Sequence, residues 1–143
     1  MADRKATAEW NGTLTQGEGK MSLGSGAFEG KFSFNTRMGD EPGTNPEELI
    51  AAALAGCYSM ALNATLEKQG TPATRVNSQA IVHFGKGDAG FAISGIDLET
   101  KAVVSGITEE VFQQTAESVK ETCPVSKALA AVPIHLTASL ANE

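Results

Sequence analysis

The residues best suited to covalent chemistry are two cysteines. Cys57 and Cys123 are the only ones in 143 residues, and they are accompanied by two histidines. A thiol reacts as its thiolate, so reactivity depends on what favours the anion at each position. At helical spacing the neighbours of Cys57 are Ile50, Ala53, Leu54, Met60, Ala61 and Ala64. Apolar surroundings penalise a charged sulfur and raise a thiol pKa, so these residues alone fit an inert buried cysteine. Cys123 precedes Pro124, a residue suited to the first position of a helix, which puts Cys123 at the N-cap. There the positive end of the helix dipole favours thiolate. Local electrostatics therefore make Cys123 the more acidic thiol. If the two sulfurs meet, they form a redox pair, and in a reducing cytosol such pairs are catalytic or redox-sensing.

Other chemical patterns fail on their context. Gly85-Lys86-Gly87-Asp88-Ala89-Gly90 matches a dinucleotide-binding fingerprint literally. A strand pattern follows it, so no helix N-terminus waits for a pyrophosphate and the segment is a hairpin turn. Gly19-Lys20 lacks the flanking residues of a P-loop. His83 and His135 have no partner at metal-ligand spacing, and neither is a recognisable base for a cysteine or serine hydrolase. Trp10 and Tyr58 fit packing roles.

Several elements must position the cysteines. Ala6–Asn11, Lys20–Leu23 and Lys31–Asn35 have strand character, the last through Phe32 and Phe34 alternating with polar neighbours. Met38–Asn45 is a loop. A long helix follows, with Asn45 as N-cap, Pro46 at the first helical position, and Glu47 and Glu48 in the first turn. It runs to about Lys68 and ends at Gly70. Asn77–Lys86 and Phe91–Val104 form a hairpin, with a bulge where apolar parity switches at Gly95. Thr108–Glu121 is an amphipathic helix with Val111, Phe112, Thr115 and Val119 on its apolar face. Pro124–Ala131 is a short helix, and Pro133–Leu140 is a half-buried strand. Strands do not alternate one-for-one with helices, so the class is α+β with a mainly antiparallel sheet, in a single domain spanning 1–143.

Composition narrows the function classes. Hydrophobic residues make up 41% and charged residues 20%, as in an ordinary globular protein. The net charge is −6 and the eleven basic residues are scattered, which argues against nucleic acid and anionic lipid as partners. The N-terminal residues lack the apolar stretch of a signal peptide, so a cytoplasmic location is expected. The uncharged run Leu49–Leu66 approaches membrane-spanning length, but its alanines, Gly56, Ser59, Asn63 and Thr65 suit a buried helix better. That helix is apolar on nearly every face, and one small sheet covers only one side. A second sheet or a second subunit must cover the rest, which points to an obligate dimer.

Three stretches carry a family resemblance. They are Phe34-Asn35-Thr36-Arg37, the run Gly43-Thr44-Asn45-Pro46-Glu47-Glu48-Leu49-Ile50-Ala51-Ala52-Ala53, and Gly56-Cys57-Tyr58-Ser59-Met60-Ala61-Leu62. Together they resemble the osmotically inducible protein C branch of the organic hydroperoxide resistance (OsmC/Ohr) family. Cys123-Pro124-Val125-Ser126-Lys127-Ala128-Leu129 is similar to that family's second cysteine motif. The resemblance implies an intertwined α+β homodimer with a long central helix from each subunit. It implies a thiol-dependent peroxidase that reduces organic hydroperoxides in stress defence, with no prosthetic cofactor and an external dithiol of the lipoyl type as reductant. By the same resemblance Cys57 is the peroxidatic cysteine and Cys123 the resolving one, joined in a disulfide after oxidation. Arg37 would stabilise the thiolate and orient the peroxide, and Glu47 would hold Arg37. The sister branch carries its arginine earlier, in a glycine-rich turn that here reads Gly17-Glu18-Gly19-Lys20 without one.

A guanidinium beside Cys57 would reverse the effect of its apolar pocket. Glu47 lies ten residues before Cys57, roughly 15 Å along one helix at 1.5 Å per residue. Arg37 and Glu47 are therefore expected to act on Cys57 of the partner subunit. The rival readings are a non-catalytic redox sensor, a dimer that binds small apolar ligands, a cysteine-dependent hydrolase, and a purely structural dimer.

Overall fold

The computed structural model describes all 143 residues. The chain divides into two compact units, Met1–Leu49 and Ile50–Glu143. The first unit holds an antiparallel sheet of β1 (Ala6–Asn11), β2 (Glu18–Leu23) and β3 (Glu29–Ser33), in that order. Gly19 pairs with Phe32 across the sheet, and a Cβ at Gly19 would lie 2.5 Å from the Phe32 ring. Trp10 completes this small aromatic contact, with ring centroids 5.4 Å apart.

Lys31–Asn35 is not one strand. The strand stops at Ser33, and Phe34 opens the short helix α1 (Phe34–Met38). The reason is a capping box. The Ser33 hydroxyl accepts from the Thr36 N–H at 3.1 Å, and the Thr36 hydroxyl accepts from the Ser33 N–H at 2.8 Å. Two reciprocal bonds that satisfy backbone donors outweigh the alternation of Phe32 and Phe34.

The helix α2 (Pro46–Lys68) begins as expected: Asn45 Oδ1 accepts the Glu48 N–H at 2.8 Å. It ends at Gly70, which takes φ +82° while the Thr71 N–H bonds back to the Leu66 carbonyl at 2.9 Å. Only the first turn of α2 belongs to the first unit.

In the second unit β4 (Ala73–Gly87) and β5 (Gly90–Val104) form the hairpin, turning at Asp88 and Ala89. His83 pairs with Gly95 and Phe84 with Ile93, so Ser94 is the extra residue of a bulge. The helices α3 (Glu109–Thr122) and α4 (Pro124–Ala128) then carry the chain across to β6 (Ile134–Leu140). That crossover makes β6 parallel to β5, with Ile96 opposite Ile134 and Ala102 opposite Leu140. The fold is α+β and mainly antiparallel, with this one parallel pair.

The core of the second unit is continuous. Leu54, Tyr58, Leu62 and Leu66 repeat every four residues along α2 and are fully buried. They share one cluster with Ile96, Leu98 and Ala102 of β5 and Phe112, Ala116 and Val119 of α3. Val111, expected on the buried face of α3, is 44% exposed, and Ala116 takes its place. The opposite stripe of α2, formed by Ala52, Ala53, Gly56, Met60 and Ala64, is exposed in the single chain. Met60 is the extreme case at 77%. The helix is long and apolar enough to cross a membrane by length and composition, and only 22% of its most apolar window is buried.

Candidate active site

Each unit brings together one pair of the residues singled out from the sequence. In the first unit the pair is Arg37 and Glu47. Arg37 sits in α1, whose cap also anchors the loop that follows. The buried Thr36 hydroxyl donates to the Thr44 carbonyl at 2.8 Å. Gly43 lies so close to Thr36 that a Cβ there would stand 2.6 Å from its methyl group. The end of the loop is thereby held against α1, and Asn45 starts α2 with Glu47 one residue inside it. Arg37 Nε donates to Glu47 Oε2 at 3.1 Å, and Nη2 donates to Oε1 at 2.6 Å. A two-point contact between a planar fork and a carboxylate fixes orientation as well as distance. The Glu47 side chain is 10% exposed and that of Arg37 is 40% exposed. The carboxylate is thus the more buried member of the pair, and the guanidinium is partly exposed.

In the second unit the pair is Cys57 and Cys123. Cys57 lies between the buried residues Leu54 and Tyr58, so the packing of α2 sets its direction. Two polar contacts hold this helix at the sheet. The Ser59 hydroxyl donates to Ser78 at 2.8 Å, and Asn63 Oδ1 accepts the Ala73 N–H at 2.8 Å. Cys123 ends α3 and is also the N-cap of α4. The Cys57 and Cys123 sulfurs stand 3.1 Å apart. A disulfide bond is about 2.05 Å, so roughly one ångström of further approach would join them.

The two thiols differ in acidity. Burial pushes the Cys57 thiol up, the Val125 N–H opposes this, and Cys123 reinforces it. Burial also opposes ionisation of Cys123. The N–H of Ser126, the Cys57 thiol, the Ser126 hydroxyl and the Val125 N–H together outweigh it and bring its pKa down. Of the two, Cys123 therefore ionises more readily. The Val125 N–H acts on both sulfurs, so the first turn of α4 stabilises either anion. Tyr58 is fully buried, its hydroxyl donates to the Ala116 carbonyl at 2.9 Å, and burial raises its pKa.

The sequence singled out all four of these residues. It did not single out Thr36, which holds the loop, or Ser126, whose hydroxyl is buried at one turn from Cys123. The spacing Ser33-x-x-Thr36 is the signal that could have identified Thr36. His83 is paired with Asp97 at 2.7 Å on the exposed side of the hairpin, and His135 is exposed. No group of three or more His, Cys, Asp or Glu is arranged to hold a metal.

The sequence matches the family described as OsmC-like protein over residues 39–137. It is 43% identical over 129 residues to the peroxiredoxin OsmC of Escherichia coli (strain K12), covering 90% of each chain. It is 31% identical over 121 residues to the organic hydroperoxide resistance protein of Xanthomonas axonopodis pv. citri (strain 306), covering 81% of this chain and 82% of that one. Among solved structures, the organic hydroperoxide resistance protein of Elizabethkingia anophelis superposes with a TM-score of 0.76 at 23% identity, covering 100% of this chain and 98% of that one. The OsmC structure from Legionella pneumophila, described as an organic hydroperoxide resistance protein, superposes with a TM-score of 0.72 at 21% identity, covering 99% and 100%. Both structural likenesses concern the fold.

Proposed function

The chain belongs to the OsmC-like protein family, and from that premise we propose that it is a thiol-dependent peroxidase that reduces organic hydroperoxides in stress defence. The observation that carries this reading is the pair of cysteine sulfurs 3.1 Å apart, brought together from positions 66 residues apart in the chain. The Cys57 sulfur attacks the terminal oxygen of the hydroperoxide. The O–O bond breaks, the alkoxide takes the thiol proton and leaves as alcohol, and Cys57 becomes a sulfenic acid. Cys123 then attacks that sulfur and displaces water, forming a Cys57–Cys123 disulfide. An external dithiol, of the lipoyl type by family resemblance, restores both thiols by exchange.

Cys57 needs help to ionise, because burial holds its proton on. Arg37 is the group proposed to supply it, with Glu47 keeping the guanidinium in place. An opposite charge at close range outweighs desolvation. The spacing of Glu47 and Cys57 along one helix favours action across a homodimer, on Cys57 of the partner subunit. The exposed stripe of Ala52, Ala53, Gly56, Met60 and Ala64 is the surface proposed for that second copy, and covering it removes the need for a lipid phase around α2. A cytosolic location fits a cysteine pair that cycles between thiols and a disulfide.

Intact mass after equimolar cumene hydroperoxide tests the chemistry. The wild type should lose two hydrogens, Cys123→Ser should trap an oxidised Cys57, and Cys57→Ser should not react. Oxidation without turnover on added dithiol would make the protein a sensor instead. Mixing Arg37→Met with Cys57→Ser chains tests the shared site. Half of the dimers then carry one complete site, so about a quarter of wild-type activity returns if the site spans a symmetric interface. No recovery would place Arg37 in the same subunit as the thiol it serves.

A further inference from the structure

The Ser126 hydroxyl lies near the resolving cysteine and takes no part in the reaction steps above. Ser126 is 4% exposed, and its Oγ is fully buried with no hydrogen bond of regular geometry. A buried hydroxyl without a partner is unfavourable, and alanine would fill the position at no such cost. Ser126 stands three residues after Cys123 in α4, where a side chain can reach back toward the N-cap residue. Cys123 is itself 1% exposed, so water does not solvate its sulfur.

We propose that Ser126 is a positioning residue for the resolving cysteine, its hydroxyl a donor held in reserve for the Cys123 sulfur when the Cys57–Cys123 disulfide is opened. The inference rests on the peroxidase reading and extends it to the recycling step. One thiolate of the external dithiol attacks the Cys57 sulfur. The S–S bond breaks and its electron pair goes to the Cys123 sulfur. The second dithiol sulfur then displaces Cys57 from the mixed disulfide, the dithiol closes to its cyclic disulfide, and its two protons end on the cysteines. The leaving group in this sequence is a buried Cys123 thiolate, and a lower thiol pKa makes a faster leaving group. The direction of the Cys123 shift agrees, since the Ser126 hydroxyl is among the groups that favour its anion.

Other charges near Cys123 are few. From α2 the Cys57 thiol and the Tyr58 phenol face it. From α3 the Glu117 carboxylate acts on Tyr58 and forms an ion pair with Lys120. Lys120, Glu121 and Lys127 line a cavity of about 360 Å³ beside Ser126. A hydroxyl donor at short range is thus the adjustable element.

The test is a thiolate titration at 240 nm of Cys123 in a Cys57→Ser background, with Ser126 as Ser, Ala or Thr. It needs no peroxide, so it stays readable if the protein is not a peroxidase. The expected result is a Cys123 pKa that rises by about one pH unit in Ser126→Ala and returns in Ser126→Thr. In the chain with both cysteines, Ser126→Ala should slow re-reduction of the disulfide by dithiothreitol about threefold. It should leave the melting temperature unchanged or raise it, because an orphaned hydroxyl is removed. An unmoved Cys123 pKa in Ser126→Ala overturns the proposal. So does a fall in melting temperature with the pKa and re-reduction rate unchanged, which would make Ser126 a packing residue only.

Discussion

The two units hold their functional pairs by different means. In Ile50–Glu143 a continuous apolar cluster of Leu54, Tyr58, Leu62, Ile96, Leu98 and Phe112 sets where Cys57 points. In Met1–Leu49 no large apolar side chain is fully buried, and the buried residues include Thr36, Thr44 and Glu47. Arg37 is held by a capping box, a hydroxyl-to-carbonyl bond and a two-point ion pair. Apolar packing is non-directional and tolerates small changes, whereas each polar contact is directional and lost in one step. The first unit should therefore be sensitive in activity and the second in stability.

Arg37→Met is the largest expected break. It should cut kcat/KM for cumene hydroperoxide by about a hundredfold to a thousandfold, as loss of one preorganised charge-stabilising donor does. The melting temperature should fall only modestly, because the nearly buried Glu47 carboxylate loses its cation while the apolar core of the second unit is untouched. Comparable losses of activity and stability would erase the contrast between the units.

Phe112→Ala reverses the pattern. Removing a fully buried phenylalanine costs about 3–5 kcal/mol, read from the urea midpoint at unchanged slope. The residual activity of the folded fraction should change little. A Phe32→Ala chain should lose less stability, since Phe32 is only half-buried.

The pH dependence sharpens the comparison further. In Cys123→Ser, alkylation of Cys57 measures its thiolate fraction. With Arg37 present its midpoint should fall below about 8.5, the ordinary thiol value. In the additional Arg37→Met variant the cation is gone and burial remains, so the midpoint should rise above it and the rate at neutral pH should fall. In Cys57→Ser, Cys123 keeps the backbone N–H groups of α4, so its alkylation should persist to lower pH than that of an ordinary thiol.

Thr36→Val is the smallest effect. It deletes the hydroxyl that bonds Ser33 and Thr44 and should cost about 1 kcal/mol of stability. A several-fold drop in kcat with it would tie the loop to the orientation of Arg37. An unchanged kcat would leave the Arg37–Glu47 contact self-sufficient.

Much of the fold was legible because its signals are local. Asn45 and Pro46 start α2, Gly70 stops it, and the parity switch at Gly95 marks the bulge. Each involves residues within a few positions of one another. Phe34 was misjudged because two phenylalanines at strand spacing look the same whether or not a cap intervenes. The parallel pairing of β6 was not legible, since the alternation of Ile134, Leu136 and Ala138 is the same for either direction. At the site, Cys123 was legible as the more acidic thiol because its cause, the turn at Pro124, is adjacent.

By itself, then, the sequence determined the helices, the hairpin and the caps, because short-range hydrogen bonding and hydrophobic period act within a few residues, while Cys57, Arg37 and Glu47 became candidates through the family resemblance. Only the tertiary structure decided that Cys57 and Cys123 stand 3.1 Å apart, that Arg37 grips Glu47 at two points, and that Ser126 is buried beside the sulfur. Those distances come from packing α2 onto β5 and α3 and from folding the loop at Gly43 back against Thr36. The sulfur pair in particular depends on contact between residues 66 positions apart, which no local pattern encodes.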